Sequence, residues 1–273
     1  MSFARASYIN QPVPIEEELM VLFKKHAPLT IFEIGACEGE DSVRYANLFP
    51  RATIYAFEPL PKNLERISAT VAKYDKTNIT VVPFALSNIT GVSVFYVSSG
   101  APEGEQNNMD WDFGNKSSSL LPPDKHIDIV KFIDFKNKIE VETITLHEFC
   151  NKNCIGCIDF IHMDVQGAEL MVLTGAKELI RSIKAVWLEV SKVTLYKDQP
   201  LYDEVKEFMI ENGFVLIKDT VDDVTGDHLY ISKHFFPDYI NLFKRHAAKK
   251  NSAMKIVMIK KMFTRVIKKL FIA

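Results

Sequence analysis

Short runs of β-branched and aromatic residues alternate along the chain with longer stretches whose apolar positions recur every three or four residues. That alternation predicts a parallel sheet with crossover helices. Residues 30–34 read as the first strand, ending at Gly35, and residues 39–48 as a helix closed by Pro50. Residues 53–57 form a second predicted strand ending at Glu58-Pro59. A helix over 62–74 follows, with Leu64, Ile67, Val71 and Tyr74 on one face, then a third strand over 79–83. Residues 84–87 and 92–97 flank Asn88-Ile-Thr-Gly91, which predicts a hairpin. The regular pattern resumes with strands at 139–146, 157–163 and 185–190 and helices at 169–183 and 201–212. Strands at 214–217 and 228–231 complete the sheet.

Three domains of organisation follow: a helical lead-in over 1–28, the α/β body over 29–236, and a tail over 237–273. The stretch from 98 to 126 is polar and turn-rich, with Gly100, Pro102, Gly104, Gly114, Pro122 and Pro123. It is too long for an idle connection and is expected to be a substrate loop or lid, with disorder as the competing reading.

Charge changes the picture at one end only. The net charge is -2, but ten of the 33 Lys and Arg residues follow Asp238 and no acidic residue does. An acidic globule with a basic tail is expected, which argues against a nucleic-acid-binding core. Between 244 and 271 the tail places Met254, Met258, Met262, Val266 and Leu270 four residues apart among lysines and arginines. This basic amphipathic helix suits peripheral contact with an anionic membrane, or docking on a partner or on the acidic body. The N-terminus carries no apolar signal run, no segment reaches 18 consecutive apolar residues, and the four cysteines make no disulfide framework, so a cytoplasmic body is expected. His147, Cys150, Cys154 and Cys157 are not spaced like a common zinc site, and the three cysteines read as small buried thiols, so no metal ligand is assigned.

Gly35 and Gly39 stand between a strand and a helix, where glycine lets a ligand approach main-chain N–H groups. The spacing is Gly-x-x-x-Gly, so the dinucleotide fingerprint of a nicotinamide oxidoreductase is missing. Glu58, at the end of the second strand, can accept hydrogen bonds from both ribose hydroxyls of an adenosine. Together they point to an adenosine cofactor at the carboxyl ends of the sheet.

Ile31-Phe-Glu-Ile-Gly-Ala-Cys-Glu-Gly39, Tyr55-Ala-Phe-Glu-Pro59, Ala85-Leu-Ser87 and Ile158-Asp-Phe-Ile-His-Met-Asp-Val-Gln-Gly-Ala-Glu169 resemble, in that order, the motifs of FkbM-type methyltransferases. The likeness spans about residues 29–232. It implies the class I methyltransferase fold, a Rossmann-like α/β architecture with a seven-stranded mostly parallel sheet, helices on both faces and one antiparallel strand near an edge. It also implies methyl transfer from S-adenosylmethionine to a hydroxyl of a sugar or natural product. Carried over by position, Glu33, Gly35, Ala36 and Gly39 would form the methionine-side turn, with Ser42 beside it. Glu58 would hold the ribose with Pro59 and Asn63 next to it. Ala85, Leu86 and Ser87 would border the adenine, and Asp164, Val165 and Gln166 would line the cofactor. The sequence departs from the family at two positions: His162 stands where lysine is common, and His147 where aspartate is frequent.

Methyl transfer to oxygen is an in-line displacement requiring approach within roughly 3–3.5 Å. A base near the acceptor contributes about 10²–10⁴-fold. His162 and Asp164 share one strand face and are candidate catalytic groups, with Glu169 as a third. Asp164 and Glu169 could hold the acceptor hydroxyl or a divalent cation. His162 is also readable as a hydrogen-bonded structural histidine, and Glu169 as a charge at its helix N-terminus. Glu189, Trp111, Ser118 and Ser119 are the substrate-side candidates, with Trp111 alternatively a loop anchor. The expected function is O-methylation of a glycan or glycolipid. The alternative is an inactive methyltransferase-fold module attached to a membrane or partner.

Overall fold

The structure, a computed structural model, describes residues 5–240. Two short helices, α1 (Arg5–Ile9) and α2 (Glu16–Leu22), precede β1 (Thr30–Ile34), α3 (Glu40–Leu48), β2 (Thr53–Phe57), α4 (Pro61–Lys73) and β3 (Ile79–Val82). The chain continues through β4 (Ala85–Leu86), β5 (Gly91–Ser99), α5 (His126–Ile129), β6 (Asp134–Ile144), α6 (Leu146–Lys152) and β7 (Ile158–Met163). It ends with α7 (Glu169–Thr174), β8 (Ile183–Ser191), α8 (Tyr202–Glu211), β9 (Phe214–Asp219) and β10 (Thr225–Ser232). Pro61 opens α4, where its missing N–H costs nothing, and the Thr145 side chain caps α6 by accepting from the Glu148 N–H (3.1 Å).

Seven strands form one sheet in the order β3-β2-β1-β7-β8-β10-β9, parallel except for β10, which runs against both its neighbours. The chain lays down β1, β2 and β3 outward, then returns to add β7 on the other side of β1. The border between β1 and β7 is therefore the topological switch point, and a crevice opens beyond the carboxyl ends of those strands.

Strand alternation sorts side chains onto the two faces. Ile31 and Phe160 join Val43, Tyr45 and Phe49 of the α3 layer, together with Ile15 and Leu19 from the lead-in. Phe32, Ile34, Ile161 and Met163 face the opposite layer of Leu146, Phe149, Val172, Val205 and Met209. Helices thus cover both faces of the sheet, as expected of the class I methyltransferase fold. Among the described residues no helix is long and apolar enough to cross a membrane. The basic helix expected over 244–271 lies outside the described residues.

Three expectations are corrected. Of the cysteines expected to be buried thiols only Cys150 is buried; Cys154, in the turn after α6, is exposed and Cys157 is half-buried. Residues 84–87 and 92–97 do not pair as a hairpin. β6 lies between β4 and β5, parallel to the first and antiparallel to the second, making a separate three-stranded sheet. The long β6 supplies both ladders at once, so the Asn88–Gly91 turn only redirects the chain. The helix expected over 169–183 stops at Thr174 and resumes as a 3-10 turn over Lys177–Ser182. Gly175 marks the break because the chain there lies on the backbone after β4. A Cβ at Gly175 would stand 2.2 Å from the Ser87 carbonyl oxygen.

Gly175→Ala is expected to lower unfolding stability by about 1–3 kcal/mol, since backbone and not a flexible side chain must move. A urea denaturation midpoint indistinguishable from that of the unaltered protein would contradict this packing.

Candidate active site

The crevice beyond β1 and β7 encloses a cavity of about 250 Å³. Its wall begins where β1 ends. Gly35 takes φ +83°, and a Cβ there would stand 1.9 Å from the Asp164 carbonyl oxygen, so only glycine lets the turn pass the end of β7. The N–H groups of Gly35 and Ala36 both donate to the Phe57 carbonyl (3.1 and 2.9 Å), and that of Asp164 donates to Ile34 (3.0 Å). Three strand ends are thereby drawn around one opening.

Glu58 sits at the end of β2, 5% exposed. The backbone N–H of Cys37 donates to its Oε2 (3.0 Å) and that of Leu60 to its Oε1 (2.8 Å). Each oxygen keeps further acceptor capacity toward the cavity that Glu58 lines. Burial pushes the Glu58 carboxyl up to about 7, against the pull of those two N–H groups. Next to it Pro59, Phe84, Ala85 and Leu86 give the cavity an apolar side.

Glu33 and His162 face each other from β1 and β7, with His162 Nδ1 2.9 Å from Glu33 Oε1. Burial alone would lower the His162 pKa, but the charge and hydrogen bond of Glu33 outweigh it and push it up to about 9. A ring cationic at neutral pH is a poor proton acceptor, so the general-base role expected of His162 does not fit its surroundings. The second Glu33 oxygen, Oε2, is buried without a partner. Asp41 approaches the same spot, its carboxylate within 4.8 Å of Glu33 and His162.

Asp164 is exposed and lines the cavity just past β7. Gln166, at φ +55°, donates from Nε2 to Asp164 Oδ1 (2.7 Å) and to Glu189 Oε2 (3.0 Å). The Tyr196 hydroxyl donates toward Gln166 Oε1 (2.8 Å) and the Ser117 carbonyl (2.7 Å). One amide thus spaces two carboxylates and fixes the direction of Asp164.

Of the residues singled out in the sequence, Glu33, Gly35, Ala36, Glu58, Pro59, Asn63, Ala85, Leu86, Trp111, Ser118, His162, Asp164, Val165 and Gln166 meet around the one cavity. Gly39, Ser42, Ser87, Ser119, Glu169 and Glu189 stand behind its wall. Glu169 accepts from the Val165 and Gly167 N–H groups (both 3.2 Å), and Ser119 donates to the Gln166 carbonyl (2.8 Å). Both therefore shape the loop that carries Asp164. Glu189 also accepts from Thr225 (3.0 Å), and burial with the charges of Asp164 and Glu169 holds its carboxyl well above the usual range. Asp164, Glu169 and Glu189 bring carboxylate oxygens within 4.8 Å of one another, with the Gln166 amide on Asp164 Oδ1 and Glu189 Oε2 and the loop N–H groups on Glu169 Oε1.

The roof, residues 98–126, was expected to be a substrate loop or lid, but the residues that anchor it were not foreseen. Residues 98–126 are ordered over the cavity and pinned by a buried charge network. Glu38, fully buried inside the glycine turn, is paired with Arg5 of α1 and Arg66 of α4, and accepts from Asn115 Nδ2 (2.9 Å). Asn115 Nδ2 also donates to Asn63 (2.7 Å), while Asp112 takes Arg66 (3.3 Å) and Lys62 (2.9 Å). Trp111 is 7% exposed, 5.9 Å from the Tyr8 ring, with the Lys116 ammonium 4.1 Å above its own. Tyr8, Cys37, Glu40, Asp41, Asn115 and Lys116 also line the cavity. The Tyr8–Asp41, Glu40–Lys116 and Cys37–Asn115 contacts join residues 33, 76 and 78 positions apart, and no local spacing announces them. Five carboxylates (Glu33, Glu40, Asp41, Glu58 and Asp164) line this space. Such a cavity repels a pyrophosphate and favours a cationic guest, and the orphaned Glu33 oxygen calls for a donor from that guest.

The chain matches the methyltransferase FkbM domain over residues 33–216. It is 31% identical over 185 residues to the 2-O-methyltransferase NoeI of Sinorhizobium fredii, covering 68% of this chain and 72% of that protein. Among solved structures, methyltransferase FkbM from Methylobacillus flagellatus KT superposes with a TM-score of 0.47 at 16% identity, over 83% of this chain and 50% of that one. The precorrin-6y C5,15-methyltransferase of Geobacter metallireducens GS-15 gives 0.42 at 14%, over 80% and 87%. Both superpositions are too loose to carry an argument about the site.

Glu38→Ala would leave the Arg5 and Arg66 guanidiniums buried around an empty space. It is expected to cost about 3–5 kcal/mol in chemical denaturation. A loss under about 1 kcal/mol would mean that the network does not hold the roof.

Proposed function

The chain belongs to the FkbM methyltransferase family and is an S-adenosylmethionine-dependent methyltransferase, and from that premise we propose that it methylates a hydroxyl of a sugar in a glycan or glycolipid. The observation that carries the reading is the exposed carboxylate of Asp164, held at the cavity wall by Gln166 (2.7 Å) beside the glycine turn. The relative NoeI, a 2-O-methyltransferase, matches over most of its length and supports oxygen as the acceptor atom.

The cavity residues divide the work by chemistry. Glu58 accepts from the ribose hydroxyls with the capacity its two backbone donors leave. Pro59, Phe84, Ala85 and Leu86 offer the apolar walls that an adenine ring needs. Glu33 Oε2 and Asp41 accept from an ammonium at the turn end. S-adenosylmethionine, when bound, supplies a methyl group activated by its positive sulfur. Asp164 takes the acceptor's hydroxyl proton as the methyl carbon–sulfur bond breaks and the carbon–oxygen bond forms. Gln166 keeps the Asp164 carboxylate turned to receive it, and Glu33 keeps His162 protonated and out of the proton path.

Methyl label from S-adenosylmethionine offered to mono- and oligosaccharides should appear as an alkali-stable ether. Label confined to alkali-labile esters or to amines would overturn the oxygen-and-sugar reading. Asp164→Asn should lower kcat by about 10²–10⁴-fold with S-adenosylhomocysteine affinity little changed. Loss of binding instead of turnover would remove Asp164 from the proton path.

The raised Glu58 pKa sets a pH dependence. With a folded-state value near 7, the carboxylate is mostly ionised at about pH 8 and mostly protonated at about pH 6. Protonation removes acceptor capacity, so S-adenosylhomocysteine affinity should weaken as pH falls across that window in calorimetry. Burial also pushes the Glu33 carboxyl up to about 7, so the profile is compared with that of Glu58→Gln, in which the slope should shrink; an unchanged slope would contradict the ribose role of Glu58.

A further inference from the structure

The amino-acid end of the cofactor carries two opposite charges, and the cavity answers them unequally. Five lining carboxylates suit the sulfonium and the ammonium, but none suits the α-carboxylate. Among the described residues that line the cavity, Lys116 is the only lysine or arginine. It comes from the roof, not from the sheet, and it lies over the turn end of the cavity. Its Nζ is 3.1 Å from Glu40 Oε1 and 3.7 Å from Cys37 Sγ, both in or next to the glycine turn. Of its three N–H groups Glu40 takes one, while the Cys37 sulfur and the Trp111 ring face hold the others only weakly, so a carboxylate can compete for them. The head is also not sealed in, since the side chain is 31% exposed.

Its position is set in advance. The Trp111 ring lies 4.1 Å beneath the ammonium, and the neighbouring Asn115 is bonded to Glu38 and Asn63 at the base of the cradle. These contacts keep the roof backbone at Lys116 beside the cavity. Glu33 and Asp41 also line the cavity, their carboxylates within 4.8 Å of each other; Asp41 already accepts from Arg44 (2.5 Å) and Tyr8 (3.1 Å), whereas Glu33 Oε2 has no partner.

We infer that Lys116 binds the α-carboxylate of the cofactor, so that the roof loop supplies a lysine cation to a site whose other cationic group, His162, is already paired with Glu33. This rests on the methyltransferase reading of the cavity. It makes the loop part of the cofactor site as well as a cover for the acceptor. Lys116 would hold the carboxylate while Glu33 and Asp41 hold the ammonium, orienting the amino-acid end by charge alone.

Calorimetry with two ligands tests this: S-adenosylhomocysteine, and its analogue that keeps the amine but lacks the α-carboxylate. In Lys116→Gln, S-adenosylhomocysteine should bind about tenfold or more weakly, as expected for loss of a charged hydrogen bond. The decarboxylated analogue should bind that variant and the unaltered protein alike. Lys116→Arg, which keeps the charge, should recover most of the lost affinity. Equal weakening of both ligands would show that Lys116 only props up the roof, and unchanged S-adenosylhomocysteine affinity in Lys116→Gln would also overturn the inference. Failure of the unaltered protein to bind S-adenosylhomocysteine would instead overturn the assignment of the cavity itself.

Discussion

A carboxylate removed from water must be given donors or a cation, and this protein removes several of them within one crevice. Glu38 receives two guanidiniums and an amide, and in doing so ties α1, α4 and the roof to the glycine turn. Glu58 receives two backbone N–H groups, which shapes the turn after β1 and the entry to α4. Glu169 gathers the loop after β7, and Glu189 shares the Gln166 amide with Asp164. Glu33 receives only His162, and one of its oxygens is left over. Much of the local architecture around the cavity is the means by which these charges are held. The unbalanced remainder gives the cavity its negative field.

That field joins fold to activity. A parallel sheet with its switch point between β1 and β7 opens a crevice in any protein so built, and many chemistries use it. The acidic lining narrows the choice toward a guest carrying positive charge, in keeping with a sulfonium cofactor. The apolar side beside Pro59 and Ala85 and the acidic turn end make the cavity polar along its length, so a ligand with a flat apolar ring at one end and charges at the other has one sensible orientation.

The strands, the glycine turn and Glu58 were legible because each depends on local pattern: alternation, a φ only glycine tolerates, and a strand end. Asp164 was legible for the same reason. The hairpin expected across Asn88–Gly91 failed because turn chemistry says where the chain bends, not which strand it then meets; β6, some forty residues on, outcompeted the local pairing. The helix from Glu169 was read too long because Gly175 answers to a backbone contact with Ser87, invisible to periodicity. The roof was recognised as a functional length of chain, but its anchors were not. Arg5, Glu38, Arg66 and Asn115 meet only after folding, and each alone looks like an ordinary polar residue. His162 was placed on the correct strand face, yet its proton affinity depends on Glu33 of the neighbouring strand.

The central claim is that one cavity holds the cofactor in one direction, ribose on Glu58 and sulfur toward Asp164. A crystal structure of the protein with S-adenosylhomocysteine bound tests it most directly. The account predicts both ribose hydroxyls within hydrogen-bond distance of Glu58, the adenine between Pro59 and Ala85, and the sulfur open toward Asp164. A ligand with its adenine at the Glu33–Asp41 end, or bound outside this cavity, would contradict it.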